Sequence, residues 1–262
     1  MSLNYWEWDL TPCRISDELY YVGTKNGPSY LLDTGDGLLL IDTGYPQNAY
    51  MILENIRALG FDPYQIKNIV HTHGHVDHMG STRAFVALTG AKTWLGAGDE
   101  DAVQAKNNLA YYQEFNMPFL EPFTPDFILH DKQKVTFGNV EILFLSTPGH
   151  TQGTLSLFLD LHWNGNTYRA GLFGGAGLNT LSKAYLSRHS LPLTMRDKYL
   201  NSLDILSKQT VEIHLGNHLS DNNHLEKMGR VNEKENPFID PTSWQNFLNT
   251  KRNAALELFK ND

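Results

Sequence analysis

Between residues 18 and 43 the chain alternates short apolar runs with glycine and aspartate turns. The runs are Leu19-Tyr20-Tyr21-Val22, Tyr30-Leu31-Leu32 and Leu38-Leu39-Leu40-Ile41, and they are bounded by Gly23, Gly27, Gly35 and Gly37. Runs this short, so punctuated, predict the strands of a meander. The period then changes: Ala49, Ile52, Leu53, Ile56 and Leu59 recur at helical spacing between Pro46, which suits a first helical turn, and Gly60. Residues 66–70 predict a further strand, 79–88 a helix closed by Gly90, 92–95 a strand, and 99–103 a helix opened by acidic residues.

Residues 107–125 break the pattern, because Tyr111, Tyr112, Phe115, Phe119 and Phe123 are interleaved with Pro118, Pro122 and Pro125. Proline spacing of this kind predicts an irregular aromatic loop, either packed on the core or forming an apolar wall of a binding cleft. A second strand-rich block follows. It has strands at 135–137 and 140–145 about Gly138-Asn139, and a hairpin over 155–173 turning at Asn164-Gly165-Asn166. A helix is expected from about residue 196 to 208 and a strand over 211–215. The last helix is expected to have Asp240 as N-cap, Pro241 at its first position, and Trp244, Phe247, Leu248, Ala255 and Leu256 on its apolar face. Strands followed by a helix occur twice without a linker, which predicts one α/β domain over residues 1–262 built from two similar halves packed as layers.

Composition narrows the function. Hydrophobic residues at 41% and charged residues at 19% exclude disordered and fibrous classes. A net charge of −8 argues against nucleic acid as a partner, since phosphate backbones are gripped by clustered Lys and Arg. No apolar run approaches the roughly 20 residues that span a bilayer, so no membrane partner is expected. The first residues lack the basic and then apolar regions of a signal peptide. The chain as written is therefore expected to be cytoplasmic by default, or periplasmic or secreted if an export signal has been removed. Cys13 is the only cysteine and is expected to be an ordinary buried residue, so a bound metal must be held by nitrogen and oxygen.

Candidate chemistry concentrates in His71-Thr72-His73-Gly74-His75-Val76-Asp77-His78, directly after the predicted strand 66–70. Neutral imidazole and carboxylate are ligands that zinc takes from a protein, and the ends of strands are where open α/β sheets place ligands. His73 and His75, two residues apart at a strand end, can reach one ion together; Asp77 and His78 come where the chain turns and can reach a second. His71 could replace His73 only in a shifted register, and otherwise packs behind the site. His130, His162 and His189 stand alone and are expected to be surface or partly buried residues.

His73-Gly74-His75-Val76-Asp77-His78 resembles the signature of the metallo-β-lactamase superfamily. Ile41-Asp42-Thr43-Gly44, Pro148-Gly149-His150-Thr151 and Gly216-Asn217-His218 match its other motifs in the expected order. The resemblance implies a four-layer αβ/βα sandwich. It also implies that His73, His75 and His150 hold a first zinc, that Asp77, His78 and His218 hold a second, and that Asp42 supports the ligand loop from behind. Many hydrolases of this superfamily carry a metal-bridging aspartate in a Gly-Asp pair where this chain reads Gly174-Gly175-Ala176-Gly177. With neither that carboxylate nor a cysteine ligand, the chain looks most like the subclass of metallo-β-lactamases whose zinc ligands are five histidines and one aspartate. Leu19-Tyr20-Tyr21-Val22-Gly23-Thr24 and Asn236-Pro237-Phe238-Ile239-Asp240-Pro241 are similar to that subclass too. Its known enzymes generally carry Asp-Ser near positions 175–176, and Gly175 and Ala176 depart from this.

The expected cofactor is therefore zinc, two ions per chain, sharing a hydroxide at neutral pH because coordination lowers the pKa of water to roughly 7. Asp77 would orient that nucleophile and relay its proton. The leading expectation is a zinc-dependent hydrolase of a small carbonyl substrate, foremost a β-lactamase-like cyclic amide hydrolase. The alternatives are a lactonase or thioester hydrolase of the same superfamily, or a relative that binds zinc without turnover. A substrate carboxylate would draw on Asn179, Ser182 or Lys183.

Overall fold

The computed structural model describes residues 4–117 and 119–262. Met1, Ser2, Leu3 and Pro118, all part of the readings above, lie outside the described residues. The first half forms a sheet of seven strands in chain order: β1 (Cys13–Arg14), β2 (Leu19–Tyr21), β3 (Tyr30–Asp33), β4 (Leu38–Ile41), β5 (Ile66–Val70), β6 (Lys92–Gly96) and β7 (Phe127–Leu129). Strands β1 to β4 are antiparallel, whereas β4 to β7 run parallel. The second half adds β8 (Gln133–Phe137), β9 (Val140–Ser146), β10 (Leu155–Trp163), β11 (Asn166–Phe173) and β12 (Ile213–Leu215), in the order β12-β11-β10-β9-β8.

Side-chain alternation along the strands produces the layers. On β4, Leu39 and Ile41 point to a core shared with Leu155, Leu157, Leu159 and Leu161 of β10, which binds the two sheets face to face. Leu38 and Leu40 point the other way, onto Ile52 and Ile56 of α1 (Ala49–Ala58) and Phe85 of the helix Thr82–Thr89. Phe158, between the inward leucines of β10, packs outward with Tyr199 and Leu203 of the helix Met195–Leu206 and with Trp244 and Leu248 of the helix Ser243–Asn261. The result is helices, sheet, sheet and helices, the four-layer αβ/βα sandwich. Among the described residues no helix is long and apolar enough to cross a membrane.

Several elements differ from the sequence reading. The helix expected over 79–88 is two, α2 (Val76–Met79) and α3 (Thr82–Thr89). The loop before α1 docks in the break: the Gly80 amide donates to Gly44 O at 2.8 Å, and a Cβ on Gly80 would lie 2.4 Å from Pro46 Cδ. The acidic helix is a single turn, α4 (Glu100–Val103), and a short α5 (Lys183–Arg188) precedes α6 (Met195–Leu206). A five-residue α7 (His224–Met228) then leads toward the last helix, α8 (Ser243–Asn261), which starts later than expected. Asp240 accepts from the Thr242 amide and hydroxyl at 3.0 and 2.7 Å, closing a turn of its own and leaving Thr242 at the cap position. Leu256, placed on the apolar face by its spacing, is 49% exposed. The 164–166 turn holds, with Asn164 and Gly165 both at positive φ as a tight hairpin requires. Cys13 is partly buried, and burial pushes its thiol up to about 11.

Candidate metal centre

The parallel register sets Ile41 beside Val70, so Asp42 and His71 leave the sheet at the same edge. The second sheet ends its strands there too: Leu215 lies opposite Leu172, and Phe173 opposite Ser156. The Leu155 amide donates to Thr72 O at 2.8 Å and ties the two edges together. Loops from both halves therefore converge, and the structure brings the six sequence-derived candidates into one cluster.

His73, His75 and His150 each offer a ligand nitrogen within 4.8 Å of the others, and all three side chains are buried; His73 also groups with Asp77 and His78. His218 completes the second trio. His78 Nε2 lies 3.4 Å from Asp77 Oδ2 and 3.4 Å from His218 Nε2, and His218 Nε2 lies 3.6 Å from Asp77 Oδ2. Ring orientation is set from behind, as metal-ligating histidines require. His78 Nδ1 meets Asp42 Oδ2 at 2.8 Å, His150 Nδ1 donates to Gly177 O at 2.9 Å, and His73 Nδ1 is 3.1 Å from Thr72 Oγ1. Asp42 also accepts from the Thr72 amide at 2.8 Å and hydroxyl at 2.7 Å. These bonds hold Asp42 at a φ of 61°, a left-handed conformation that aspartate adopts more readily than most residues.

The electrostatics suit a cation. Burial and neighbouring histidines hold His73 and His75 well below their usual range, and burial takes His150 down to about 4, so these imidazoles are neutral. Burial opposes a charge on His78, yet the Asp77 and Asp42 carboxylates outweigh it and raise the ring to about 10. For Asp77 burial is likewise outweighed, by His78 and His218, and the carboxyl lies below its normal range. Asp77 Oδ1 is buried with no hydrogen-bond partner among the described residues. A buried Asp77 held below its usual range, its unsatisfied oxygen and a set of neutral imidazoles together fit metal binding.

His71 lies behind the cluster, its Nε2 3.2 Å from Thr82 Oγ1 and its ring 5.3 Å from Phe123. His130 and His162 are exposed, and His189 is partly buried against Asn107 O and Glu114. His214 and His224, near His218 in sequence, are buried elsewhere: His214 bonds Ser243 Oγ at 3.0 Å, and His224 Nε2 accepts from the Gly216 amide at 3.0 Å. A cleft of about 640 Å³ opens beside Asp77 and His218, with Tyr45, Phe115, Leu219 and Leu225 among its walls and Lys25 and Asn223 at its polar margin. The aromatic loop packs on the core at one point and lines the cleft at another. Phe123 packs on Met79 and Leu95, whereas Tyr111 stands 5.3 Å from the His75 ring and Phe115 lines the cleft.

The candidates for a substrate carboxylate fare differently. Ser182 Oγ accepts from the Tyr185 amide and caps α5, while the Lys183 amine donates to Asp262 O at 2.7 Å; neither lines the cleft. Asn179 is exposed, with Oδ1 on the side of Gly177 that faces the His150 ring. Sequence reasoning missed Thr72 and Asp99. Asp99 was read only as a helix start, yet it accepts from the Gly74 amide at 2.8 Å and from the Thr151 hydroxyl at 2.7 Å, beside three of the candidates.

Residues 22–162 match the family model described as the metallo-beta-lactamase superfamily. Among solved structures, native FEZ-1 metallo-beta-lactamase from Legionella gormanii superposes with a TM-score of 0.88 at 28% identity, covering 97% of each chain. The class B3 di-zinc metallo-beta-lactamase LRA-12 from an Alaskan soil metagenome gives 0.83 at 26% identity, over 98% of this chain and 97% of that one. Among curated proteins, a hydroxyacylglutathione hydrolase of Anaeromyxobacter dehalogenans is 30% identical over 141 residues, 54% of this chain and 44% of the relative. The chain spans about half the length of the curated relatives it matches. Family members bind zinc. The chain belongs to the metallo-β-lactamase superfamily of hydrolases.

Proposed function

We propose that the chain, as one metallo-β-lactamase-like domain over residues 1–262, is a hydrolase of small carbonyl compounds, with β-lactam-like cyclic amides the foremost substrates. The observation that carries the reading is the donor set, five imidazoles and one carboxylate gathered in two adjacent trios with glycine in place of a bridging aspartate. His73, His75 and His150 would hold one zinc, and Asp77, His78 and His218 the other. When bound, zinc supplies Lewis-acid polarisation of a carbonyl and acidifies water to a pKa of roughly 7.

The chain's own groups do the rest. Asp77 would ligate through Oδ2, the oxygen that faces His78 and His218, and its carboxylate would orient the attacking water and take up the proton it gives up. Tyr45, Phe115 and Leu219 exclude water from the substrate's apolar portion. The partner is a small molecule, since the acidic balance disfavours nucleic acid.

Hydrolysis of a chromogenic cephalosporin by zinc-loaded protein tests this, with chelated protein and Asp77→Ala as controls. Turnover lost in both controls supports the reading. Full activity of Asp77→Ala with two zincs tightly bound would sink the mechanism. The hydroxyacylglutathione hydrolase relative, together with the absence of Asp-Ser at 175–176, favours a second reading, a thioester or lactone hydrolase. Zinc-dependent cleavage of those substrates with no cephalosporin turnover would select it.

A further inference from the structure

Asp99 is 2% exposed and makes no capping bond to the helix it precedes. Its carboxylate is spent on two other loops. Oδ2 accepts from the Gly74 amide at 2.8 Å, between His73 and His75, and from the Thr151 hydroxyl at 2.7 Å, next to His150; Oδ1 accepts from the Gly153 amide at 2.7 Å. Both glycines are built around it. A Cβ on Gly74 would lie 3.3 Å from Asp99 Cβ, and one on Gly153 would lie 2.8 Å from the same atom. The network runs on through Thr151 Oγ1 to Thr154 Oγ1 at 2.8 Å, and Thr154 fills the space beside Gly175, where a Cβ would come within 2.6 Å of its methyl group. Among the described residues no Lys, Arg or His lies within ion-pair distance of Asp99, so hydrogen bonds to these two loops are what offset part of the cost of its burial.

We propose that Asp99 is a positioning residue for the first metal: it fixes the spacing between the His73–His75 loop and the His150 loop, which between them supply all three nitrogens. The inference rests on the reading of that trio as a zinc site. Asparagine at this position keeps the volume but faces one N–H donor with another, so it breaks part of the tie without emptying the space.

The test compares wild type, Asp99→Asn, Thr151→Val and Thr151→Ser, each zinc-loaded and dialysed against graded chelator buffers, with metal content read by mass spectrometry. The visible spectrum of the cobalt-substituted proteins is read alongside. Asp99→Asn is expected to weaken one metal equivalent by about 10- to 100-fold and alter the cobalt spectrum, leaving the other equivalent at wild-type affinity. Thr151→Val should lose part of that, and Thr151→Ser, which keeps the hydroxyl, should behave as wild type. Should Asp99→Asn fail to fold, the Val and Ser pair decides alone. Wild-type affinity for both equivalents in Asp99→Asn and Thr151→Val would overturn the proposal, as would equal weakening of both sites with a lowered Tm. A wild type that binds no zinc would instead overturn the zinc reading itself.

Discussion

Asp42 Oδ2 and His78 Nδ1 meet at 2.8 Å with both side chains shut away from water, at 3% and 0% exposure. The same carboxylate anchors Thr72, whose hydroxyl reaches His73 Nδ1, so one residue at the end of β4 orients a ring in each trio. Asp42→Ala is expected to weaken zinc binding by about 10- to 100-fold, as loss of a ligand-orienting partner generally does. Titration with a zinc-selective dye in competition would measure it, and unchanged affinity would refute the role.

His218 is the loosest of the six. Its side chain is 42% exposed, and among the described residues no hydrogen bond holds its Nδ1, whereas its backbone amide is pinned to Asp221 Oδ2 at 3.1 Å. The metal served by His218 should therefore leave first. Dialysis against increasing chelator is expected to give a one-zinc species before the zinc-free protein, and His218→Ala should bind one equivalent from the start. Simultaneous loss of both metals would contradict this ordering.

At Gly175 a Cβ would fall 2.6 Å from Thr154 Cγ2 and 2.9 Å from His150 Cβ. Gly175→Asp, which writes the superfamily's common Gly-Asp pair into this chain, is thus expected to destabilise the fold by about 1–3 kcal/mol through overpacking. It should also displace His150 and reduce metal uptake. Urea unfolding monitored by circular dichroism gives the first quantity. A variant as stable as wild type would show that the loop yields at no cost.

Part of the loss of stability in acid follows from His214 and His224, at 1% and 0% exposure, which lie apart from the metal cluster. Burial lowers both to about 3, from a normal value near 6.5. Because the folded pKa is depressed, the unfolded chain binds the proton first, so stability is full above pH 6.5 and declines as pH falls from 6.5 toward 3. Each histidine contributes a slope of about 1.4 kcal/mol per pH unit inside that window. His214→Phe, packed between Trp244 and Phe247, should flatten the pH dependence of the urea midpoint in chelated protein. An unchanged slope would mean that His214 is not buried as a neutral ring.

The contrast between His73 and Asp99 shows how much of the site could be read from the chain. Four histidines within eight residues have few uses other than metal, so His73, His75, Asp77 and His78 stand out unaided, while His150 and His218 needed the order of the motifs. Asp99 left no such mark. Its partners are amides and a hydroxyl 25 to 54 residues away, and an aspartate before a helix reads the same whether it caps that helix or joins two loops. The sheets were legible because their apolar runs are dense. The start of α8 was not, since Asp240 and Pro241 are as compatible with a turn as with a cap, and only the Thr242 contacts decide between them.

Each trio draws two residues from before the aromatic loop and one from after it: His73 and His75 with His150, Asp77 and His78 with His218. A polypeptide nicked within residues 107–125 would thus yield two pieces, neither of which owns a full coordination set. Zinc would bridge the two pieces across this edge, adding to the core that the two sheets already share. Metal binding thus reports that both halves are present and correctly joined at this edge of the sheets.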